Sequence, residues 1–412
     1  MSSIVVMKFG GSSVADADRI KNVAGRVAAK RKQGHRVVVV VSAPGDMTDD
    51  LIAMAEKITD SPSGREMDML LSTGEQVSIA LLSMAINERG VAAVSLTGPQ
   101  AGIFADQDHT RARITAIRPK KIFEQLKKGK VVIVAGFQGL NPNEDIATLG
   151  RGGSDLTAVA LAAALKADVC EIYTDVKGVY TTDPRVEPEA QKIDRISYDE
   201  MLELAGAGAQ VMQARSIEVG KKYGVDIHVR STFSEDEGTL ITAEVPRMEQ
   251  IVVSGVAFDP KQAKITLSGV ADRPGVAAKI FGPLADEGVN VDMIIQSAPT
   301  EGRNDISFTI GRVDVKKAMG VLDRVSTDLK AEEVVCDDKV AKVSIVGVGM
   351  KGHPGVAAKL FKSLAEAGIN IDMISTSEIK IACVVREGDG PRAVRLVHKA
   401  FGLEKPRVKA KA

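Results

Sequence analysis

Residues 274–294 read PGVAAKIFGPLADEGVNVDMI and residues 354–374 read PGVAAKLFKSLAEAGINIDMI; 14 of these 21 positions are identical, 80 residues apart. So long a match fixes the C-terminal part of the chain as two copies of one small unit. Two copies mean a duplication, because a solenoid needs at least three repeats to build a continuous core. Each copy follows an apolar, strand-like run (residues 264–270 and 342–348) and holds one amphipathic helix that stops at Gly288 or Gly368. Glycine is the residue best able to take the left-handed conformation that ends a helix. A short strand then begins at Asn290 or Asn370.

The first 230 residues follow another pattern. Short β-branched runs at residues 4–7, 37–41, 91–96, 131–135, 172–174 and 226–229 alternate with helical stretches such as 16–32, 66–88, 119–128 and 155–166. Continuous apolar runs of this length suit strands buried on both faces. Their alternation with helices predicts a three-layer α/β sandwich around a mainly parallel sheet. Around residues 235–250 charge, Gly and Pro mix and the pattern breaks. The expected division is therefore an α/β domain over 1–245, a first repeat unit over 246–330 and a second over 331–403, or the two units interleaved. Residues 404–412, Lys-rich and without periodicity, are expected to fray.

Composition excludes several functions. Lys plus Arg equals Asp plus Glu at 54 each, so no global field draws in nucleic acid or an anionic membrane. Aromatic residues are 3% of the chain, too few for base-stacking platforms. No uninterrupted apolar stretch reaches 18 residues, so no membrane span is expected. Cys170, Cys336 and Cys383 fit neither a disulfide framework nor a metal spacing, which points to a reducing, cytoplasmic location.

Ligands of open parallel sheets bind beyond the carboxyl ends of the strands, and glycine-rich turns lie at two such ends. In the first, Lys8-Phe9-Gly10-Gly11-Ser12-Ser13, glycines let the backbone approach an anion and Lys8 supplies a point charge. The helix opening near Asp16 would add its dipole. A tight turn with a solvated lysine explains that stretch equally well when it is taken alone. The second turn, Gly150-Arg151-Gly152-Gly153-Ser154-Asp155, offers a guanidinium fork and a helix cap at Ser154. There Ser154 and Asp155 could instead merely cap the helix, with Arg151 solvated. Residues 173–185, polar and broken by Gly and Pro, read as a nucleotide loop or as a structural one. Glu75 stands beside Gly74 in the middle of a helical run, where glycine costs about 1 kcal/mol against alanine. A carboxylate so placed could hold a substrate ammonium. None of the five histidines forms a metal-ligand pair or a nucleophilic arrangement, and phosphoryl transfer, which needs positioning and charge compensation, requires neither.

Together these stretches resemble the aspartate kinases of the amino acid kinase family. The likeness runs through KFGGSS (8–13), VVSA (40–43), REMDMLLSTGE (65–75), VAGFQG (134–139), TLGRGGSD (148–155) and YTDVKGVYTTDPR (173–185), and the repeat resembles paired ACT domains, each a βαββαβ unit. The resemblance implies Mg2+-ATP-dependent phosphorylation of the β-carboxylate of L-aspartate to 4-phospho-L-aspartate, the opening step toward lysine, threonine and methionine. It places Lys8 on the phosphoryl group in flight, with Gly10, Gly11 and Ser12 lining the phosphates and Asp155 orienting the charged groups. Ser42, Thr48, Glu75, Arg151, Gly152 and Ser154 would hold aspartate, Glu75 at the ammonium and Arg151 at a carboxylate. Thr174, Asp175, Tyr180 and Arg185 would form the ATP pocket, and no protein side chain is expected to ligate the metal.

The resemblance further implies feedback by lysine, threonine or both. Asp272, Gln296, Asn370 and Ile371 match threonine-binding positions, and Met350 and Ser377 fall in a lysine-site region. Pairing of the small units between chains is expected, as a homo-oligomer or as a mixed tetramer with a shorter subunit started near Met248. One departure stands out: relatives carry a second lysine where this chain has Gln210, which can donate a hydrogen bond but cannot compensate charge. The competing expectations are a kinase for glutamate or N-acetylglutamate, and a catalytically weak amino-acid sensor.

Overall fold

The structure, a computed structural model, describes residues 3–209, 211–243, 245, 252–350 and 352–405. Gln210, Met248 and residues 406–412 of the tail lie outside the described residues. Contacts divide the chain into a first unit of Met1–Val179, Lys192–Ala205 and Gln210–Pro246, and a second of Tyr180–Gln191, Gly206–Ala209 and Arg247–Ala412. Two segments ahead of residue 245 thus group with the C-terminal unit, where a single cut was expected. Thr181 shows why: its carbonyl accepts from Val256 N–H at 2.7 Å, and its Oγ1 bonds His398 Nε2 at 2.9 Å.

In the first unit the elements run β1 (Ile4–Phe9), α1 (Ala17–Lys32), β2 (Arg36–Val41), α2 (Met47–Glu56), α3 (Gly64–Glu88), β3 (Ala93–Leu96), α4 (Gly98–Ala101), β4 (Ile103–Ala105) and β5 (Ile114–Ile117). They continue through α5 (Lys120–Lys127), β6 (Val131–Ala135), β7 (Gln138–Leu140), β8 (Ile146–Thr148), α6 (Gly153–Leu165) and β9 (Val169–Thr174). The unit closes with β10 (Arg195–Ser197), α7 (Tyr198–Gly206), α8 (Ala214–Tyr223), β11 (Ile227–Ser231) and β12 (Thr239–Thr242). Eight strands form one sheet in the order β10-β12-β11-β9-β1-β2-β6-β3, parallel except between β11 and β12. Phe9 lies beside Val41 and Tyr173, and Val41 beside Ala135, so β1, β2, β6 and β9 finish level at one edge. A smaller sheet, β5-β4-β7-β8, is built from strands too short to show as apolar runs in the sequence.

Side-chain alternation decides what each face sees. Val5, Met7 and Phe9 pack with Val37, Val39, Val41, Leu82 and Ile86 on the face covered by α1 and α3. Each fully buried valine there contributes about 1.5–3 kcal/mol. Lys8, one residue out of phase, points to the other face, where α6 lies against β1, β2 and β9. Eleven of the 13 residues of α6 are buried, so this helix is enclosed on nearly every side.

Helix α3 is long and apolar enough to cross a membrane by length and composition, where no such stretch was expected. It nevertheless carries Asp68 and Glu75 on its buried side and packs along strands of the first unit.

The second unit is one six-stranded sheet, β14-β15-β13-β16-β18-β17. Its elements are β13 (Gly255–Ala271), α9 (Val276–Asp286), β14 (Val291–Gln296), β15 (Arg303–Gly311), α10 (Val315–Leu329), β16 (Glu333–Val346), α11 (Val356–Glu366), β17 (Met373–Thr376), β18 (Lys380–Arg386) and α12 (Gly390–Ala400). The repeats interleave. The start of β13, Gly255 to Asp259, pairs with the end of β16, while its later residues pair with β15 and with the start of β16. Val253 and Val256 accordingly join the core of the second repeat, whereas Val334 and Cys336 pack on that of the first. No cut at residue 330 separates the copies, because two long strands each serve both.

Candidate active site

Lys8 ends up at the carboxyl edge of the sheet, 9% exposed, with Nζ 2.6 Å from Asp155 Oδ1 of α6. Beyond it the chain turns sharply. Ser13 N–H donates to Gly10 O at 2.9 Å, and residues Gly11–Ser13 form a single 3-10 turn. Gly11 packs where no side chain fits, since a Cβ there would lie 2.8 Å from Ala43 O and 2.9 Å from Gly45 O. Gly45 N–H returns a bond to Gly11 O at 3.1 Å, and Ser42 N–H one to Phe9 O at 3.1 Å. The Lys8–Ser12 turn and the Ser42–Gly45 loop are therefore one packed body at the ends of β1 and β2.

Helix α1 opens where it was expected: its N-cap is Asp16, whose carboxylate accepts from Arg19 N–H at 2.8 Å. That acid, and not a ligand, meets the positive end of the helix. One expectation of capping is corrected: Ser154 does not cap α6; the N-cap is Gly152 at φ 72, and no side chain caps the helix. Ser154 lies inside the first turn, against Gly136 at the end of β6, where a Cβ would come within 2.7 Å of its Oγ. Gly152 is needed for its positive φ and because a Cβ would strike Gln213 at 2.7 Å.

Glu75 reaches the same place from α3. It is 3% exposed, and Oε1 accepts from Ala43 N–H at 3.1 Å. Its Oε2 is buried with no partner. Burial pushes its carboxyl up to about 7, partly opposed by bonds from the backbone N–H groups of Glu75 and Ala43. The suspect glycine has its explanation here: a Cβ on Gly74 would lie 2.7 Å from that of Ala43, so α3 can approach the strand-end loop only with glycine.

Thr48 stands in the first turn of α2, half-buried. Arg151 is 97% exposed and approaches Asp49 Oδ1 at 3.6 Å, leaving its guanidinium available. Thr174 ends β9 and donates from Oγ1 to Asp175 Oδ1 at 3.0 Å. Tyr180 and Arg185 belong to the segment that groups with the second unit, and Arg185 Nη2 pairs with Asp183 at 2.8 Å.

In the second unit Asp272 and Gln296 line one small cavity of about 110 Å³ together with Asn304. Asn304 Nδ2 donates to Asp272 Oδ1 at 3.1 Å, and its own Oδ1 is buried without a partner. Asn370 is exposed and Ile371 half-buried in the second repeat. Met350 is a core residue there, and Ser377 sits in the turn between β17 and β18.

Three residues of the first unit carry weight that the sequence reading did not give them. Asp68, fully buried, bonds His109, Thr110 and Thr148, and Arg215 of α8 donates to two backbone carbonyls. The one signal was an aspartate on the apolar face of α3, inside REMDMLL.

Among the described residues no group of three His, Cys, Asp or Glu side chains could hold a metal. The thiols of Cys170, Cys336 and Cys383 are all pushed up by burial, so none is a ready nucleophile.

A model of the amino acid kinase family matches residues 3–231, and one of the ACT domain matches 265–325 and 343–401. An aspartate kinase of Pseudomonas putida is 52% identical over 405 residues, 98% of each chain. Among solved structures, E. coli aspartokinase III in complex with aspartate and ADP in the R-state is similar at TM-score 0.82 and 27% identity, covering 96% of this chain and 99% of that one. The same enzyme in complex with lysine and aspartate in the T-state gives TM-score 0.77 at 27% identity, over 97% of this chain and 100% of that one.

Proposed function

Because the chain belongs to the amino acid kinase family, as an aspartate kinase with C-terminal ACT domains, we propose that its first unit joins ATP and L-aspartate at the carboxyl edge of the large sheet. The observation that carries this reading is the Lys8–Asp155 pair beside a buried glutamate with one carboxylate oxygen unpartnered. A fixed cation and a fixed ammonium acceptor stand on one packed edge.

The chemistry needs little more. The β-carboxylate of aspartate is already ionised at neutral pH, so no base has to remove a proton before it attacks. One of its oxygens bonds to the γ-phosphorus while the bond to the bridging oxygen breaks, and ADP leaves with that electron pair. Both reactants are anions, and their repulsion is the barrier the site must lower. Lys8 Nζ supplies positive charge to the transferring group, and Asp155 aims it. The turn through Gly10, Gly11 and Ser12 offers backbone donors to the phosphates. Mg2+ would arrive on the nucleotide's phosphates, in keeping with a site that offers it few carboxylates, and would supply further charge neutralisation. Glu75 Oε2 accepts the substrate ammonium, Arg151 folds onto a carboxylate, and Ser42, Thr48, Gly152 and Ser154 complete the pocket. Thr174 and Asp175 border the nucleotide side, with Tyr180 and Arg185 further along the same chain.

The second unit is the regulatory part in this reading, with Asp272 and Gln296 at an effector site for lysine or threonine. The cavity they share supports it, as does the complex of a solved relative, E. coli aspartokinase III, with lysine. Feedback, the oligomeric state and a shorter subunit from Met248 belong to the same proposal, as does a cytoplasmic location, which the unpaired cysteines favour. A coupled assay of ADP release with aspartate, glutamate or N-acetylglutamate, and with lysine and threonine added singly and together, tests the whole. Turnover with aspartate that lysine or threonine lowers is expected. Turnover confined to another acceptor, or none at all, overturns it.

A further inference from the structure

We infer that Asp68 is a positioning residue for the amino-acid substrate, holding from α3 the arm that carries Gly150 and Arg151. This rests on the assignment of Glu75 and Arg151 to that substrate. Asp68 lies two helical turns before Glu75 on the buried side of α3. Its Oδ1 accepts from Thr148 Oγ1 at 2.5 Å and from Thr110 N–H at 3.0 Å, and its Oδ2 from the same N–H at 3.1 Å. His109 Nδ1 is 2.6 Å from Oδ2. A carboxylate only accepts, so Nδ1 carries the proton.

The two segments it grips are joined to each other. Ala112 N–H donates to Thr148 O at 2.9 Å, and a Cβ on Gly150 would lie 3.4 Å from Thr110 O. From another helix, Arg215 donates to Leu149 O at 2.8 Å and to Ala112 O at 3.0 Å. A buried anion on α3 and a guanidinium on α8 therefore pin one arm immediately before Gly150-Arg151. Thr110 sits at φ 65, a conformation that costs a residue of its type on the order of 1–3 kcal/mol. Its N–H bond to Asp68 offsets that strain.

A buried carboxylate is tolerated only when its lone pairs are used, and here every donor comes from the arm. One rigid helix thus carries both the ammonium acceptor and the anchor of the carboxylate-binding loop. The span between Glu75 and Arg151 is set by α3, and with it the length of amino acid that fits.

The test is steady-state kinetics on the full-length enzyme with Asp68→Asn, His109→Ala and His109→Asn. Asp68→Asn and His109→Ala should raise KM for aspartate about tenfold or more, the effect of displacing the arm by about an ångström, with KM for ATP near wild type. His109→Asn, whose amide can place an N–H near the position of Nδ1, should recover most of the loss. His109 is partly exposed, so its variants carry the test even if Asp68→Asn fails to fold. If the wild type turns over aspartate but the His109 variants leave its KM unchanged, or raise both KM values alike, the clamp is wrong. A wild type that does not turn over aspartate removes the underlying assignment, and the inference with it.

Discussion

Lys8 Nζ lies 2.6 Å from Asp155 Oδ1, and the two side chains are equally shielded, each 11% exposed. A lysine held this way keeps its direction without substrate. Lys8→Met should lower kcat with aspartate by about 10²–10³-fold, the usual loss when one charge-stabilising group is removed. It should also destabilise the fold, because Asp155 is left buried and unpaired. The Lys8→Met/Asp155→Asn double variant separates these effects: Tm should recover in thermal melts while kcat does not. Recovery of kcat in the double variant would remove Lys8 from the chemistry.

Glu75 predicts a dependence on pH. Its carboxyl is raised from 4.5 to about 7 by burial. Below 4.5 folded and unfolded chains both hold the proton. Between 4.5 and about 7 the unfolded chain releases it and the folded one keeps it, so the stability of the ligand-free protein falls as pH rises through that window. Glu75→Gln should flatten this part of the Tm–pH curve. The substrate ammonium prefers the ionised form, so KM for aspartate should fall as pH rises through about 7 in the wild type and stay high and level in Glu75→Gln.

Much of this edge was legible in the sequence because glycine and charge mark it at fixed places along the chain. KFGGSS and GRGGSD announce turns that need close backbone approach; the first lies at the end of β1 of the large sheet, the second between β8 of the smaller sheet and α6. The long β-branched runs gave its central strands. Strands of three or four residues, such as β4, β7 and β8, carry too little apolar pattern to be read. The Asp16 cap of α1 was legible, whereas Ser154 was misjudged because it has the right chemistry for a cap that the backbone fills with Gly152 at positive φ. Asp68, His109 and Arg215 were missed for a further reason: their partners are backbone groups and side chains far away in sequence, which no local motif encodes. The grouping of residues 180–191 with the second unit is likewise a matter of long-range hydrogen bonds.

Gly74→Ala should be costly although alanine favours helices. The added Cβ would lie 2.7 Å from that of Ala43, well inside van der Waals contact. Relief requires α3 or the Ser42–Gly45 loop to move, and overpacking of this kind costs about 1–3 kcal/mol. The same movement lengthens the Glu75–Ala43 bond. A lowered Tm with a raised KM for aspartate is expected, and an alanine variant as stable and active as wild type would contradict the close packing.

Asp272 and Gln296 should matter to inhibition and little to turnover. Asp272→Ala removes the acceptor of the Asn304 amide at 3.1 Å and one wall of the cavity. Inhibition curves for lysine and threonine should shift to higher concentration in Asp272→Ala and Gln296→Ala while kcat without effector stays near wild type. By linkage, an inhibitor that binds one state more tightly also loses leverage when that differential contact is removed. Unchanged inhibition by both amino acids would move the effector site elsewhere.

The repeat is not symmetric where its two copies meet. Lys342, with a side chain 3% exposed, pairs closely with Asp292 of β14, tying the second repeat's strand to the first repeat. The positions related by duplication are Lys264 and Asp372, but Asp372 approaches Arg386 Nε at 3.7 Å instead. The Lys342–Asp292 pair, without a counterpart at the duplicated positions, sits near a cluster of Met293, Val340, Met373 and Val384 contributed by both copies. Removing the carboxylate leaves a buried ammonium, and loss of one partner of such a pair costs about 3 kcal/mol. Asp292→Ala should lower the midpoint of chemical denaturation, whereas Asp372→Ala, which leaves the buried lysine paired, should shift it much less. Adding Lys342→Met to Asp292→Ala removes the stranded charge and should restore most of the stability. Equal effects from Asp292→Ala and Asp372→Ala would show that the two copies carry the load alike and that the Lys342 pair has no special place between them.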